Sequence, residues 1–288
     1  MKTIQDLVAV LDLDQINENE FVGISKSIGS PIVFGGQVLA QSLSAASKSV
    51  QKDRTLHSLH AYFLEAGNLK LPITYIVNNM RNGGSFSTRR VTAKQGDTTI
   101  FILAASFHKD EEGHEHQIDI KKDIKQPEEL ASWDEKFKEF KEFLPARMKA
   151  FLEIERPIEF KPTFISNPLN PKDLLPTSDV WFKIRGTAEG FDLPLKQQIL
   201  TYISDYNILN SVLYPNASKA HVGNTQMASL DHSMWFFREF DLNDWMLYST
   251  ESPSANGARG FARGNIYTRD GILVASVAQE GLMRPIKK

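Results

Sequence analysis

The stretch from Gln197 to Ser218, QQILTYISDYNILNSVLYPNAS, is an apolar-rich run in which Asp205 is the only charged residue. Ile199, Ile203, Tyr206, Leu209 and Leu213 recur at helical spacing, and Leu200, Ile208 and Val212 extend the apolar character around the cylinder. The pattern predicts a buried helix with little exposed face and an acid inside it. At about 100° per residue, Asp205 falls between Val212 and Leu209, away from the polar Ser204, Asn207 and Ser211. A carboxylate so placed is partly desolvated, which raises its pKa and costs free energy unless partners surround it. A narrow solvent-facing strip, or a cap on a neighbouring loop, is the alternative reading of the same residue.

Strand-like alternation flanks this helix, at 157–160 and 180–184 before it and at 228–239, 245–251, 257–268 and 271–281 after it. The first half of the chain has the same order. A helical pattern at 3–13 and a short strand at 21–25 precede a small-residue helix that starts at Gly35-Gly36 and runs to about Val50. Strands then follow in LHSLHAYFLEAG, LPITYIVNNM, SFSTRRVTAKQG and TTIFILAASFH. With one constant shift, LHAYFL (59–64) lies over DHSMWF (231–236), matching His60 with His232, and IFILAASF (100–107) lies over ILVASVAQ (272–279) without a gap. The expected fold is α+β, a double hot-dog in which two antiparallel sheets each wrap around a central helix. Each half would supply what a partner subunit supplies in a dimer of single units. The expected divisions are 1–117 for the first unit, 118–153 for a charged helical linker with an amphipathic pattern from Pro127 to about Leu152, and 154–288 for the second unit.

Composition narrows the function. With 33 Lys and Arg against 35 Asp and Glu, the chain has no bias toward a polyanion such as nucleic acid. Cysteine is absent, which excludes disulfides, thiolate nucleophiles and Cys-ligated metals and fits a reducing compartment. No segment has the length of a membrane span, and the N-terminus does not read as a secretory signal, so the expectation is a cytoplasmic protein.

If the halves are copies, the informative positions are those where only one has become polar. At that shift Gln279 falls opposite Phe107 and Ser229 opposite His57. Compared helix with helix, the first has Ala and Ser where the second has Asp205. A carboxylate, a hydroxyl and an amide from one helix and two strands can thus converge. They include no strong nucleophile beside a base, and the chain has no G-x-S-x-G elbow, so covalent catalysis is not the natural reading. The set suits a water molecule: Asp205 accepts its proton while Ser229 and Gln279 aim its lone pair at an electrophilic carbon. The reaction class is direct hydrolysis of an activated acyl group.

The segments SLDHSMWFFREFDLNDWMLYSTESPSANGARGFARGNIYTRDGILVASVAQEGLMR (229–284), HSLHAYFLEAG, RNGGSFSTRRV and FGGQVLAQSL resemble the acyl-CoA thioesterase II family of double hot-dog enzymes. The resemblance runs through nearly the whole chain. It implies hydrolysis of acyl-CoA to free fatty acid and CoA without a cofactor, with Asp205, Ser229 and Gln279 at the positions of the family's water-activating trio. It also implies a homodimer or homotetramer. Two positions depart from the family pattern: Ser229 stands where Thr is frequent, losing a methyl that restricts the rotamer, and Glu65-Ala66-Gly67 stands where Arg-Pro-Gly is usual.

Other residues are candidates beside the trio. Gly35 and Gly36 are a candidate cradle for an anion or carbonyl, with a tight turn as the alternative. Arg89, Arg90, Arg259 and Arg263 lie on corresponding strands, and Arg90, Arg259 and Arg263 are candidates for the phosphates of CoA, with a solvated strand face as the alternative. His114 and His116 resemble a metal pair without a third ligand, so no metal is expected. A hot-dog hydratase and a non-catalytic acyl-CoA binding module are the competing functions. The first ordinarily relies on a His in the site, and the second would fit a spoiled trio.

Overall fold

Each half is built on one buried helix. The computed structural model describes residues 1–140, 142, 153–165, 171–221 and 223–286. Helix α1 (Ile4–Leu11) begins with a capping box between Thr3 and Asp6. The strands β1 (Asp14–Asn17) and β2 (Glu20–Gly23) lead to α2 (Gly35–Lys48), whose residues from Gly36 to Ala46 are all buried. Gly, Ala and Ser make α2 slim, so β3 (Thr55–Phe63), β4 (Ile73–Asn82), β5 (Phe86–Gln95) and β6 (Thr98–His108) can wrap closely around it.

Between the halves lies α3 (Trp133–Phe140). Positions 141 and 143–152 of the expected linker helix lie outside the described residues. The second half opens with β7 (Ile158–Pro162) and β8 (Thr177–Ile184). Its central helix is α4 (Leu193–Ser204), capped by the Asp192 carboxylate, which accepts from the Leu195 N–H at 3.0 Å. A short α5 (Asn210–Leu213) follows, then β9 (Thr225–Ser229), β10 (Asp231–Phe236), β11 (Met246–Asn256), β12 (Arg259–Thr268) and β13 (Leu273–Pro285).

All pairings are antiparallel, and the order β1-β2-β4-β5-β6-β3-β10-β13-β12-β11-β8-β7, with β9 beside β13, makes one sheet of 13 strands among the described residues. The two half-sheets join through β3 and β10, where Leu59 faces Met234 and His60 faces Ser233. Helices α2 and α4 pack against each other in the concavity. The α+β double hot-dog architecture expected from the repeat is the one observed, with its two half-sheets fused along a seam.

Three local expectations are corrected. The apolar run that begins at Gln197 is not one helix: α4 ends at Ser204, Asp205 is its C-cap, and Asn207 takes a left-handed φ of 65° that turns the chain toward α5. The strand expected at 228–239 is two strands, β9 and β10, broken at Leu230, whose N–H bonds to the Glu280 carbonyl and whose carbonyl accepts from Phe63 N–H. The register of the repeat also moves. The bulge in β4 at Asn79/Arg81 and the one in the β5–β6 pairing at Ala93/Lys94 correspond to those at Glu251/Ser254 in β11 and at Ile266/Tyr267 in the β12–β13 pairing. Aligned on those landmarks, Ser229 lies opposite Leu56 instead of His57, Gln279 opposite Ala105 instead of Phe107, and His232 opposite Leu59 instead of His60.

Candidate active site

Asp205, Ser229 and Gln279 meet where α4 ends. Asp205 sits on the last turn of the helix with φ −80° and ψ −9°, so its side chain leaves the helix end and not the helix barrel. Ser229 is the last residue of β9, paired with Gly281 of β13, and Gln279 lies two residues before that glycine on the same strand. Residues two apart on a strand share a face, which puts Gln279 beside Ser229 on the helix side of the sheet. The Gln279 Nε2 donates to Ser229 Oγ at 2.8 Å, and Ser229 Oγ donates to Asp205 Oδ1 at 3.2 Å.

The first half supplies the facing wall. A Cβ added at Gly35 would stand 2.7 Å from Asp205 Oδ2 and 2.8 Å from the Phe63 ring, and one at Gly36 would stand 2.6 Å from the Tyr202 carbonyl. Glycine is therefore required here by close approach. The Gly36 N–H donates to the Asp205 carboxylate, so the positive end of α2 points at the acid. Phe34 stacks edge-on to Tyr202 and lies 4.5 Å, centroid to centroid, from Tyr206, whose hydroxyl is 3.0 Å from that of Tyr202. Asp205 keeps some accessible surface as a residue, yet its carboxyl is walled in by these groups. Burial pushes its pKa from 3.8 up to about 6, against the bonds from Gln279, Ser229 and Gly36 N–H, which favour the anion.

Behind the trio lies a second set of polar groups. His232 and Gln279 are cross-strand neighbours one step along the β10–β13 ladder, and His232 Nδ1 lies 2.5 Å from Gln279 Oε1. Its other nitrogen, Nε2, lies 2.9 Å from Ser204 Oγ. Both side chains are fully buried, and burial holds His232 down at about 4. The sequence matches His232 with His60 and counts Ser204 among the polar residues of the helix, and it gives neither a partner. The alternation of β10 indicates which way His232 faces but not what it meets.

The remaining candidates are not brought to the trio. Ala262, the residue of β12 opposite Gln279, shares its face, so Arg263 beside it points to the other side of the sheet, as does Arg259. Both arginines are exposed and paired, Arg259 with Glu280 at 3.0 Å and Arg263 with Glu251 at 2.6 Å. Arg90 is exposed on the outer face of β5. Its neighbour Arg89 is buried and closes the end of α2, donating to the carbonyls of Ser49, Arg81 and Thr88 and to Asn82 Oδ1. His57 lies 2.8 Å from Ser106 Oγ, and His60 lies 3.1 Å from Ser233 Oγ across the seam. The Asp231 carboxylate accepts from Glu280 N–H. His114 and His116 stand in an exposed segment, and no group of three or more His, Asp or Glu among the described residues is arranged to hold a metal ion.

A carboxylate that ionises near neutrality, a hydroxyl and an amide can together grip one water molecule and one carbonyl oxygen. Such a set can deprotonate the first and polarise the second.

Known proteins resemble this chain over nearly its whole length. Residues 148–282 match the family model described as acyl-CoA thioesterase, and residues 25–108 match that described as acyl-CoA thioesterase N-terminal domain. The chain is 38% identical to acyl-CoA thioesterase 2 of Haemophilus influenzae, over 98% of each chain. It is 37% identical to human acyl-coenzyme A thioesterase 8, over 96% of this chain and 88% of the relative. The crystal structure of an acyl-CoA thioesterase II from Mycobacterium marinum superimposes with a TM-score of 0.79 at 33% identity, over 97% of this chain and 98% of that one.

Proposed function

The chain belongs to the acyl-CoA thioesterase family, and from that premise we propose that it hydrolyses acyl-CoA to a carboxylic acid and CoA by direct attack of water. The observation that carries the reading is the convergence of Asp205, Ser229 and Gln279 from α4, β9 and β13 through bonds of 3.2 and 2.8 Å. Asp205 accepts a proton from the water, and the water oxygen bonds to the thioester carbonyl carbon. The carbon–sulfur bond of the resulting tetrahedral species then breaks, and the thiolate leaves and takes up a proton. One water is consumed, and its oxygen ends in the acid. Ser229 and Gln279 hold the carboxylate in place and position the water, and Gln279 Nε2 is the donor that turns to the carbonyl oxygen as its charge grows.

The raised pKa of Asp205 suits this role, because a base with a pKa near 6 is ionised at pH 7 yet still takes up a proton readily. The close approach of Gly35 and Gly36 supports it further, since it lets the Gly36 N–H at the start of α2 reach the carboxylate and favour its anion. The test is release of free CoA from short to long acyl-CoAs by the native protein and by Asp205→Asn. A fall in kcat of about a thousandfold with substrate binding retained is expected for loss of a general base. Full turnover by the variant would sink the mechanism, and acyl-CoA binding without hydrolysis by either protein would point to a binding module.

A further inference from the structure

The five side chains around the site form a directional chain of hydrogen bonds that begins and ends on neighbouring residues of α4. Ser204 Oγ meets His232 Nε2 at 2.9 Å, His232 Nδ1 meets Gln279 Oε1 at 2.5 Å, Gln279 Nε2 donates to Ser229 Oγ at 2.8 Å, and Ser229 Oγ donates to Asp205 Oδ1 at 3.2 Å. We infer that His232, held by Ser204, is the positioning residue that sets which way round the Gln279 amide sits, and through it where the Ser229 proton points. The inference rests on the proposed roles of Asp205, Ser229 and Gln279 and extends them to a pair that touches neither water nor substrate.

A neutral imidazole has one N–H and one lone pair. If the proton is on Nδ1, it goes to Gln279 Oε1, the amide presents its nitrogen to Ser229, and the Ser229 hydroxyl is free to donate to Asp205. If the proton is on Nε2, the Nδ1 lone pair would face the carbonyl oxygen of Gln279 at 2.5 Å, and the amide must turn over. Its oxygen would then draw the Ser229 proton away from Asp205, and no N–H would remain for the thioester carbonyl.

The order is set from the Asp205 end: the carboxylate only accepts, so Ser229 donates to it, Gln279 turns its nitrogen to Ser229 and its oxygen to Nδ1, and the imidazole proton belongs on Nδ1. Ser204 Oγ lies 2.9 Å from His232 Nε2 and donates to the Thr201 carbonyl at 2.8 Å. Turned toward Nε2, the same hydroxyl supplies the proton that the Nε2 lone pair of the productive tautomer accepts, and so supports it. The Ser204 carbonyl is itself held by the Tyr248 hydroxyl at 3.1 Å, which pins the helix end that carries both Ser204 and Asp205. Burial keeps His232 neutral, so the two arrangements are the relevant ones at neutral pH.

The test is a double-mutant cycle on kcat and KM for CoA release, using His232→Phe, His232→Asn and Ser204→Ala, each in the native and the Gln279→Ala background. With native Gln279, His232→Phe is expected to lower kcat by about tenfold to a hundredfold with KM changed by less than about twofold, as befits a misaimed donor. His232→Asn keeps an N–H near the place of Nδ1 and should recover most of that loss. In the Gln279→Ala background, His232→Phe and Ser204→Ala should each cost less than about twofold more, because the group they act through is gone. Equal losses in both backgrounds, or His232→Asn no better than His232→Phe, would overturn the inference. Should His232→Phe fail to fold, the Ser204→Ala arm of the cycle decides by the same criterion. Unimpaired turnover in Gln279→Ala would instead sink the proposed trio itself, whereas an impaired Gln279→Ala beside an unimpaired His232→Phe would sink only the relay.

Discussion

The ends of the two central helices are opposites. The residue after α2 is Ser49, and its carbonyl is gripped by the buried guanidinium of Arg89. The residue after α4 is Asp205, a carboxylate at the negative end of a helix. A cation at a helix C-terminus is stabilising and an anion there is not. The first arrangement is what folding alone favours, and the second persists because the positive end of α2, a hydroxyl and an amide are brought to it. Around these ends, Leu56, Leu59 and Ala105 of the first half stand where the second has Ser229, His232 and Gln279. One copy has been filled for stability, while the other holds polar groups away from water. The comparison locates a function better than any single residue does, because both copies share a backbone and differ only in what that backbone is asked to carry.

The contrast can be broken from either side. Gln279→Ala should lower kcat by about a hundredfold, since it removes an aimed donor together with the support of Ser229, and steady-state CoA release reads this directly. On the other side, Arg89→Ala strips five acceptors, the carbonyl and hydroxyl of Ser49, the carbonyls of Arg81 and Thr88 and Asn82 Oδ1, of their donor and should cost about 2 kcal/mol or more in urea unfolding. Turnover per folded molecule should stay the same.

The pH profile sharpens the same contrast. Activity needs ionised Asp205, so kcat/KM should fall about tenfold per pH unit below about 6. Stability runs the other way for this residue. Its folded pKa of about 6 lies above the ordinary 3.8, so the folded state holds the proton more tightly and loses stability as pH rises from about 4 to about 6. His232, lowered to about 4 from 6.5, gives the opposite slope over an overlapping window. The two are separated by comparing thermal unfolding of Asp205→Asn and His232→Asn with the native protein across that range. The smallest expected effect is Ser229→Thr, which restores a methyl that restricts the rotamer and should change kcat by less than about threefold.

Much of this was legible in the sequence, for reasons that also explain what was not. Asp205, Ser229 and Gln279 stood out because each is polar in a segment whose copy, or whose surroundings, are apolar. The end of α4 did not stand out. Tyr206, Ile208 and Val212 are buried on an irregular turn and a short helix as surely as they would be on a continuous one, and periodicity records burial, not backbone path. Asn207, one of the residue types that tolerate a left-handed φ, was the one local sign. The repeat was found but set one or two residues off, because bulges insert residues without leaving a mark in composition. The partners of His232 were missed, since they come from a strand and a helix distant in sequence.

The seam between β3 and β10 has a consequence of its own. The site takes one wall from the first half and its polar groups from the second, an arrangement that in separate chains would exist only above some threshold of concentration. Here both parts are tethered in one polypeptide, so their encounter is intramolecular and does not weaken on dilution. The same tether removes the obligation of sameness: a mutation in one half is no longer repeated in the other, and Arg89 and Asp205 could come to occupy equivalent helix ends.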